Sequence, residues 1–86
     1  MISQRFNKTV IMTHHATEQM AGRGIDENML FDLVESGEVR RKDTEHLWIY
    51  KSYPDRQDNM ICAAAIERNN LIIKTVMINW ELQDEH

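Results

Sequence analysis

The sequence predicts an α+β fold in which two N-terminal helices pack on one face of a four-stranded antiparallel sheet. Apolar residues recur at helical spacing up to residue 36, and the period changes to two from residue 38 onward. The connections between the later segments are too short for a crossover helix, so these strands should pair antiparallel as a meander. Helices followed by strands are the element order of an α+β domain.

The first elements are predicted from turn and cap residues. The segment from Thr9 to Met12 could form a short N-terminal strand. Residues 14–23 then form a short helix, because Thr13 is a good N-cap and Gly24 is a good residue just past a helix C-terminus. The first helix is therefore bounded at both ends.

A second helix is predicted over about residues 27–36. Asp26 is its N-cap and Gly37 ends it. Its apolar residues lie at the i, i+1, i+4, i+5 spacing of one buried stripe. This stripe consists of Met29, Leu30, Leu33 and Val34.

Four strands are predicted after the helices, at roughly 38–43, 46–53, 60–67 and 71–79. Asn69-Asn70 suits a tight hairpin because Asn tolerates positive φ, whereas the segment from Pro54 to Asn59 should form a more open connection. The last two strands are apolar on both faces, which places them at the centre of the sheet. The uncovered face of the sheet then needs solvent, a ligand or a partner.

Length and composition indicate one soluble domain. The 86 residues are 42% hydrophobic and 28% charged, enough for one modest core over residues 10–80 followed by an acidic tail at 81–86. No apolar run approaches the ~20 residues of a membrane span, and the N-terminus lacks a signal peptide. We therefore expect a cytoplasmic protein without a membrane partner.

Net charge leaves nucleic-acid binding open. The formal charge is −4, which argues against a polyanionic partner, but three of the fourteen acidic residues lie in the tail. The remaining eleven nearly balance ten bases. Arg40, Arg41 and Lys42 are consecutive, so a local basic edge is compatible with the net charge.

No metal or cofactor site is predicted. Cys62 is the single cysteine and lies in the apolar run MICAAAI, which indicates a small core residue. His14 and Glu18 have the i, i+4 spacing of metal ligands, but no third ligand follows at a recognisable spacing. We expect the protein to use neither a metal nor an organic cofactor.

The first helix carries a candidate site. His15, Gln19 and Arg23 lie in one row along the border of its small apolar face. The unpaired N–H groups at the helix N-terminus would favour a neutral His15 and could help to hold an anion. The structural alternative is that His15 bonds a backbone carbonyl and Arg23 pairs with an acid such as Glu27 or Glu35.

The strands carry a second group of candidates. Lys74 and Thr75 interrupt the apolar last strand. If Thr75 faces the open side of the sheet, alternation places Leu71, Ile73 and Met77 beside it. The alternative is that Lys74 extends past an edge and Thr75 fills space between strands.

The second long strand has two different faces. Trp48, Tyr50 and Ser52 should share one face, and Lys51 the other with Leu47 and Ile49. Trp48 and Tyr50 could form an aromatic platform for a base. Core packing is the alternative use of Trp48.

The run T-x-H-A-x-E-x-M-x-x-R-G-I at residues 13–25 resembles the first motif of the small bacterial family called domain of unknown function 4258. The likeness covers most of residues 10–80 and includes a Gly-Glu after the second helix, at Gly37-Glu38. Its first motif consists of Thr13, His15, Ala16, Glu18, Met20, Arg23, Gly24 and Ile25, and its last of Ile72, Ile73, Thr75 and Val76. Where the family usually has Arg before the Met, this sequence has Gln19, so a phosphate contact made by that Arg would be missing.

The family in turn looks like RelE-like toxins and related ribonucleases, whose helices precede a meander of strands and which commonly cut RNA without a metal. This likeness implies a toxin-like ribonuclease in which the RNA 2′-OH attacks the adjacent phosphate, with an antitoxin protein as partner. His15 would be the general base or acid, Arg23 would hold the phosphorane charge, and Thr75 with Tyr50 would orient the phosphate or leaving oxygen. Four further cations would track the RNA backbone. They are Arg40, Arg41, Lys42 and Lys51.

A non-catalytic binding module is the alternative function. In this hypothesis the protein is a homodimer or binds another protein through the open face of the sheet. Such a face, built from Trp48, Leu71, Ile73 and Met77, would be a large apolar patch for a monomer. The net negative charge favours this alternative over RNA binding.

Overall fold

Two helices pack on one face of a six-stranded mixed sheet in the computed structural model, which describes residues 1–57 and 60–80. The α+β class is therefore confirmed. The predicted acidic tail lies outside the described residues. The elements in chain order are β1 (Ile2–Ser3), β2 (Lys8–Met12), α1 (His14–Gly22), α2 (Glu27–Ser36), β3 (Glu38–Arg41), β4 (His46–Ser52), β5 (Met60–Glu67) and β6 (Leu71–Met77).

The predicted four-stranded antiparallel meander is right for β3 to β6 and incomplete for the sheet as a whole. The strand order is β1-β2-β6-β5-β4-β3, and β2 lies parallel to β6, with Val10 opposite Leu71 and Met12 opposite Ile73. Short connections fix the direction only of strands that follow each other directly. The partner of β2 comes from the other end of the chain, so the local sequence pattern did not reveal it.

The helix boundaries follow the predicted caps. The Thr13 hydroxyl accepts the N–H of Ala16 at 3.1 Å, and the Asp26 carboxylate accepts the N–H of Met29 at 2.8 Å. Gly24 has the positive φ of +65° that the end of α1 requires. Local side-chain chemistry therefore accounts for both helices.

The core lies between the helices and the sheet. The helices bury Ala16 and Met20 from α1 and the apolar stripe of α2 against the sheet. Glu35 ties α2 to the N-terminus: its carboxylate accepts the Ser3 hydroxyl at 2.6 Å and the Gln4 N–H at 2.7 Å. The sheet contributes Val10, Leu47, Ile49, Ile61, Ala63, Ala65, Leu71, Ile73 and Val76 to this core.

A β-bulge in β6 overturns the predicted facing of its side chains. Ala64 lies opposite Thr75, but Ala65 lies opposite Ile73, so Lys74 is an extra residue. Leu71 and Ile73 consequently face the helices and are fully buried. Strict alternation placed them beside Thr75 and was wrong, because the bulge shifts the period by one residue.

The face of the sheet without helices, here called the open face, carries the predicted aromatic row. Trp48 and Tyr50 lie on it, whereas Lys51 lies on the helix side with Ile49. Trp80 follows β6, donates its backbone N–H to the Met60 carbonyl at 3.1 Å, and brings its ring centroid within 4.8 Å of that of Tyr50.

The aromatic pair explains the burial of the single cysteine. Tyr50 and Trp80 come from opposite sides of β5, so their rings meet over this strand, where Cys62 has no exposed surface. Burial raises the pKa of the Cys62 thiol to about 12, so it stays protonated at neutral pH.

In the described residues, no helix is long and apolar enough to cross a membrane.

Candidate functional site

The open face contains a depression of about 940 Å³, here called the cationic depression. Among residues 1–57 and 60–80, its lining includes four cations and no carboxylate, although the protein has a net charge of −4. Its walls come from α1, β3, β4 and the segment after β6. The lining residues are Gln19, Arg23, Arg40, Arg41, Lys42, Trp48, Met77, Ile78, Asn79 and Trp80.

The α1 wall is held by hydrogen bonds to a strand edge. Strand β2 pairs with β6 only as far as Ile73, and α1 occupies the edge beyond it. The Gln19 amide oxygen accepts the N–H of Val76 at 2.9 Å, and the Arg23 guanidinium donates to the Val76 carbonyl. The Thr13 hydroxyl donates to the Lys74 carbonyl at 3.2 Å. Side chains of α1 thus satisfy backbone groups that a neighbouring strand would otherwise pair.

His15 lies one turn before Gln19 on the same row of α1. Its side chain is exposed, and it has neither a hydrogen bond nor an ion pair within residues 1–57 and 60–80. The backbone hydrogen bond expected from the structural alternative is therefore not formed there. His14, by contrast, lies 3.1 Å from the Glu18 carboxylate.

The β3 wall contributes the three consecutive cations. Arg40 lies opposite Trp48 in the strand register, and Lys42 is exposed at the end of the strand. Arg41 is 2.6 Å from the Glu67 carboxylate, which also binds Lys8 at 3.1 Å. The bond from Arg41 is the largest cause of the lowered pKa of Glu67. Part of the positive charge of Arg41 is therefore balanced within the protein.

Two cross-strand rows define the open face at the depression. One row runs from Arg40 through Trp48 and Ala64 to Thr75, over three strand spacings or about 14 Å. Ala64 has the smallest side chain in this row, and of its four residues Arg40 and Trp48 line the depression. Thr75 is thus on the open face, as one reading of the sequence required.

The second row runs from Glu38 through Tyr50 and Cys62 to Met77. The hydrogen bond with the Glu38 carboxylate, followed by burial, raises the pKa of the Tyr50 hydroxyl. Tyr50 consequently keeps its proton at neutral pH. Its single O–H donor is directed to Glu38, and it is a poor general base.

Lys51 lies on the opposite side of the sheet from the cationic depression. Its ammonium is 2.9 Å from the Asp32 carboxylate and 2.8 Å from the Ser36 hydroxyl. The Tyr53 hydroxyl donates to the same carboxylate at 2.7 Å. The structure thus brings Arg23, Arg40 and Lys42 to one depression and separates Lys51 from them. Arg41 is also a lining residue, but it lies opposite the core residue Leu47 and binds Glu67. His15, Tyr50 and Thr75 are not among the lining residues.

Trp80 and the role of Gln19 were missed by sequence reasoning. Trp80 lies beyond the last predicted strand, and its only signal is a large aromatic residue directly before the acidic tail. Gln19 stands where the family usually has Arg, and its amide oxygen accepts the Val76 N–H, which the sequence did not indicate. An arginine has no acceptor for that N–H.

Comparison with known proteins gives one match. Residues 12–78 match the model of a family described as Domain of unknown function (DUF4258). This range includes both helices and strands β3 to β6, and it ends before Trp80. No curated protein and no solved structure matches the chain.

Proposed function

The chain belongs to the family described as Domain of unknown function (DUF4258), and from that premise we propose that it is a metal-independent, toxin-like ribonuclease that binds RNA in the cationic depression. The charge of the lining carries this conclusion. Four cations, with no carboxylate among the described lining residues, on a protein of charge −4 favour the binding of an anion. The two tryptophans beside them distinguish a nucleic acid from a simple inorganic anion.

The cations and the aromatic rings serve different parts of the RNA. Arg40 and Lys42 bind phosphates on the β3 side, and Arg23 binds a phosphate on the α1 side. A guanidinium has five N–H donors, so the bond of Arg23 to the Val76 carbonyl leaves others for a phosphate. Trp48 and Trp80 contact bases between these two walls.

Cleavage uses three further side chains, His15, Thr75 and Tyr50, which are not among the residues that line the depression. His15 takes the proton of a 2′-OH, whose oxygen attacks the adjacent phosphorus while the bond to the 5′-oxygen breaks. Arg23 stabilises the charge on the phosphorane, and Thr75 and Tyr50 orient the phosphate and the leaving oxygen, Tyr50 exchanging its hydrogen bond to Glu38 for this contact. The leaving oxygen takes up a proton from water, and His15 returns its proton to solvent. The products are a 2′,3′-cyclic phosphate and a 5′-hydroxyl.

A cleavage assay with two histidine variants tests this function. We expect the purified protein to cut single-stranded RNA in the presence of EDTA and to leave a 2′,3′-cyclic phosphate. His15→Ala should lose this activity by about 10²-fold or more, as is typical for loss of a general base. His14→Ala is the matched control, since His14 is the exposed neighbour on the same helix. Equal cleavage by wild type and His15→Ala would remove His15 from the mechanism.

A second candidate function is a homodimerising or partner-binding module. The end of the open face away from Trp80 is apolar: Ile11, Ile72 and Ile66 lie side by side in the strand register. Ile2 and Ile11 are 65% and 42% exposed. Such a patch favours a protein partner, either a second copy or an antitoxin. A monomer by sedimentation at micromolar concentration, with no partner copurifying, would count against this function.

A further inference from the structure

The aromatic residues of the cationic depression narrow the class of RNA that it accepts. We infer that the depression binds unpaired RNA, with one base stacked on Trp48 above Ala64 and another in contact with Trp80. This inference rests on the proposed RNA-binding function and adds the strandedness of the substrate to it.

Trp80 is held in place as one wall. Its ring lies 4.8 Å from the Tyr50 ring at an interplanar angle of 34°, and its backbone N–H donates to the Met60 carbonyl. One face of the indole is therefore supported by Tyr50. A ring that is already ordered loses little conformational entropy when a base packs against it.

Trp48 forms the second contact surface above a shallow floor. It lies two residues before Tyr50 on the same face of β4, about 7 Å along the strand. The next residue across the sheet is Ala64, and Thr75 follows at about 10 Å from Trp48. Ala64 carries only a methyl group, so no large side chain stands directly beside Trp48 in this row to oppose a planar base that packs on the indole.

The position of the cations excludes a base-paired helix from the cationic depression. Arg23 lies on one side of the aromatic floor and the Arg40 to Lys42 segment on the other. A strand that contacts both walls through its phosphates must turn its bases toward the floor between them. In a duplex the bases are paired and stacked inside the helix, so their faces cannot reach the tryptophans.

The test measures binding separately from cleavage. Short RNA with 2′-O-methyl groups, which cannot be cleaved by 2′-OH attack, is titrated as a single strand and as a duplex of the same sequence. We expect the single strand to bind at least about ten-fold more tightly, since stacking on an aromatic side chain typically contributes this much per base. Trp48→Ala should lower single-strand affinity by about ten-fold and remove most of the discrimination.

Two further variants separate stacking from folding. Trp48→Phe keeps an aromatic face and should retain most of the affinity for single-stranded RNA. Tyr53→Phe alters an aromatic residue on the helix side and should leave that affinity unchanged. Equal affinity for duplex and single strand, or full affinity in a folded Trp48→Ala protein, would overturn the inference. Single-strand preference without cleavage of natural RNA would support it and would instead contradict the ribonuclease function. Absence of any RNA binding would overturn both.

Discussion

The salt dependence of RNA binding gives the sharpest test of the cationic depression. Each phosphate contact with a single strand contributes about −0.7 to the slope of log affinity against log salt concentration. Four lining cations give a slope of about −2.8, and three give about −2.1 if Arg41 stays bound to Glu67. Affinity should then fall by about 20- to 50-fold between about 50 and 200 mM salt.

Lys42→Gln removes one exposed cation at the end of β3. We expect the slope to become less steep by about 0.7, so that the same change of salt lowers affinity by only about 7- to 20-fold. Affinity should fall similarly for all single-stranded sequences, because a phosphate contact carries no base information. Fluorescence anisotropy with labelled, 2′-O-methylated RNA at several salt concentrations measures both quantities.

Lys51→Gln is the matched control for this experiment. It removes the same charge from the whole protein, but Lys51 binds Asp32 on the other side of the sheet. We expect the slope to remain that of the wild type. An unchanged slope in Lys42→Gln, or an equal reduction in both variants, would refute binding in the depression and would leave only a general effect of net charge.

Three further predictions concern the structure that supports the site. Gly37→Ala should lower the free energy of unfolding by about 1–3 kcal/mol, because a Cβ there would lie 2.6 Å from the carbonyl oxygen of Leu33. A Cβ at Gly22 would meet open space, so Gly22→Ala should raise the free energy of unfolding by up to about 1 kcal/mol. Urea denaturation measures both changes. Gln19→Met leaves the N–H of buried Val76 without its acceptor and should lower the free energy of unfolding by about 1–3 kcal/mol. Each kcal/mol corresponds to a fall in Tm of about 4–8 °C. Gln19→Glu keeps an acceptor for this N–H, so its Tm in a thermal melt should be close to that of the wild type. The Asp43 carboxylate accepts backbone N–H bonds from the following turn, and these bonds lower its pKa from 3.8 to about 2. Its contribution to stability is therefore present above pH 3.8 and is lost as the pH falls toward 2. The difference in urea midpoint between wild type and Asp43→Ala should shrink over that range.

The parts of the fold that local chemistry determines could be predicted from the sequence. Thr13 and Asp26 cap the two helices as expected, and the alternation of Trp48 and Tyr50 against Lys51 was predicted correctly. In each case the determining residues lie within a few positions of one another. The predicted Asn69-Asn70 turn also joins two paired strands, although neither Asn has a positive φ.

The parts that depend on distant contacts could not be predicted. No local sequence pattern predicts that β2 pairs with β6, or that a bulge at Lys74 places Thr75 and Met77 on the open face. The clustering of Arg23 with the β3 cations follows from these same contacts. The sequence therefore predicted most of the charged residues of the depression, but it did not predict how they are arranged.

The docking of α1 joins the structural and functional interpretations of its first motif. Gln19 and Arg23 bond the backbone of Val76, and these bonds set the position of the whole row that includes His15. A residue engaged in this way is not thereby excluded from a site, because the guanidinium retains donors that point away from the strand. The bonds also restrict its rotamers, so binding a phosphate would order fewer groups. We expect a substitution of Arg23 to change stability and RNA binding together, whereas variants of His15 and Lys42, whose side chains form no such bond to the strand within the described residues, can separate the two.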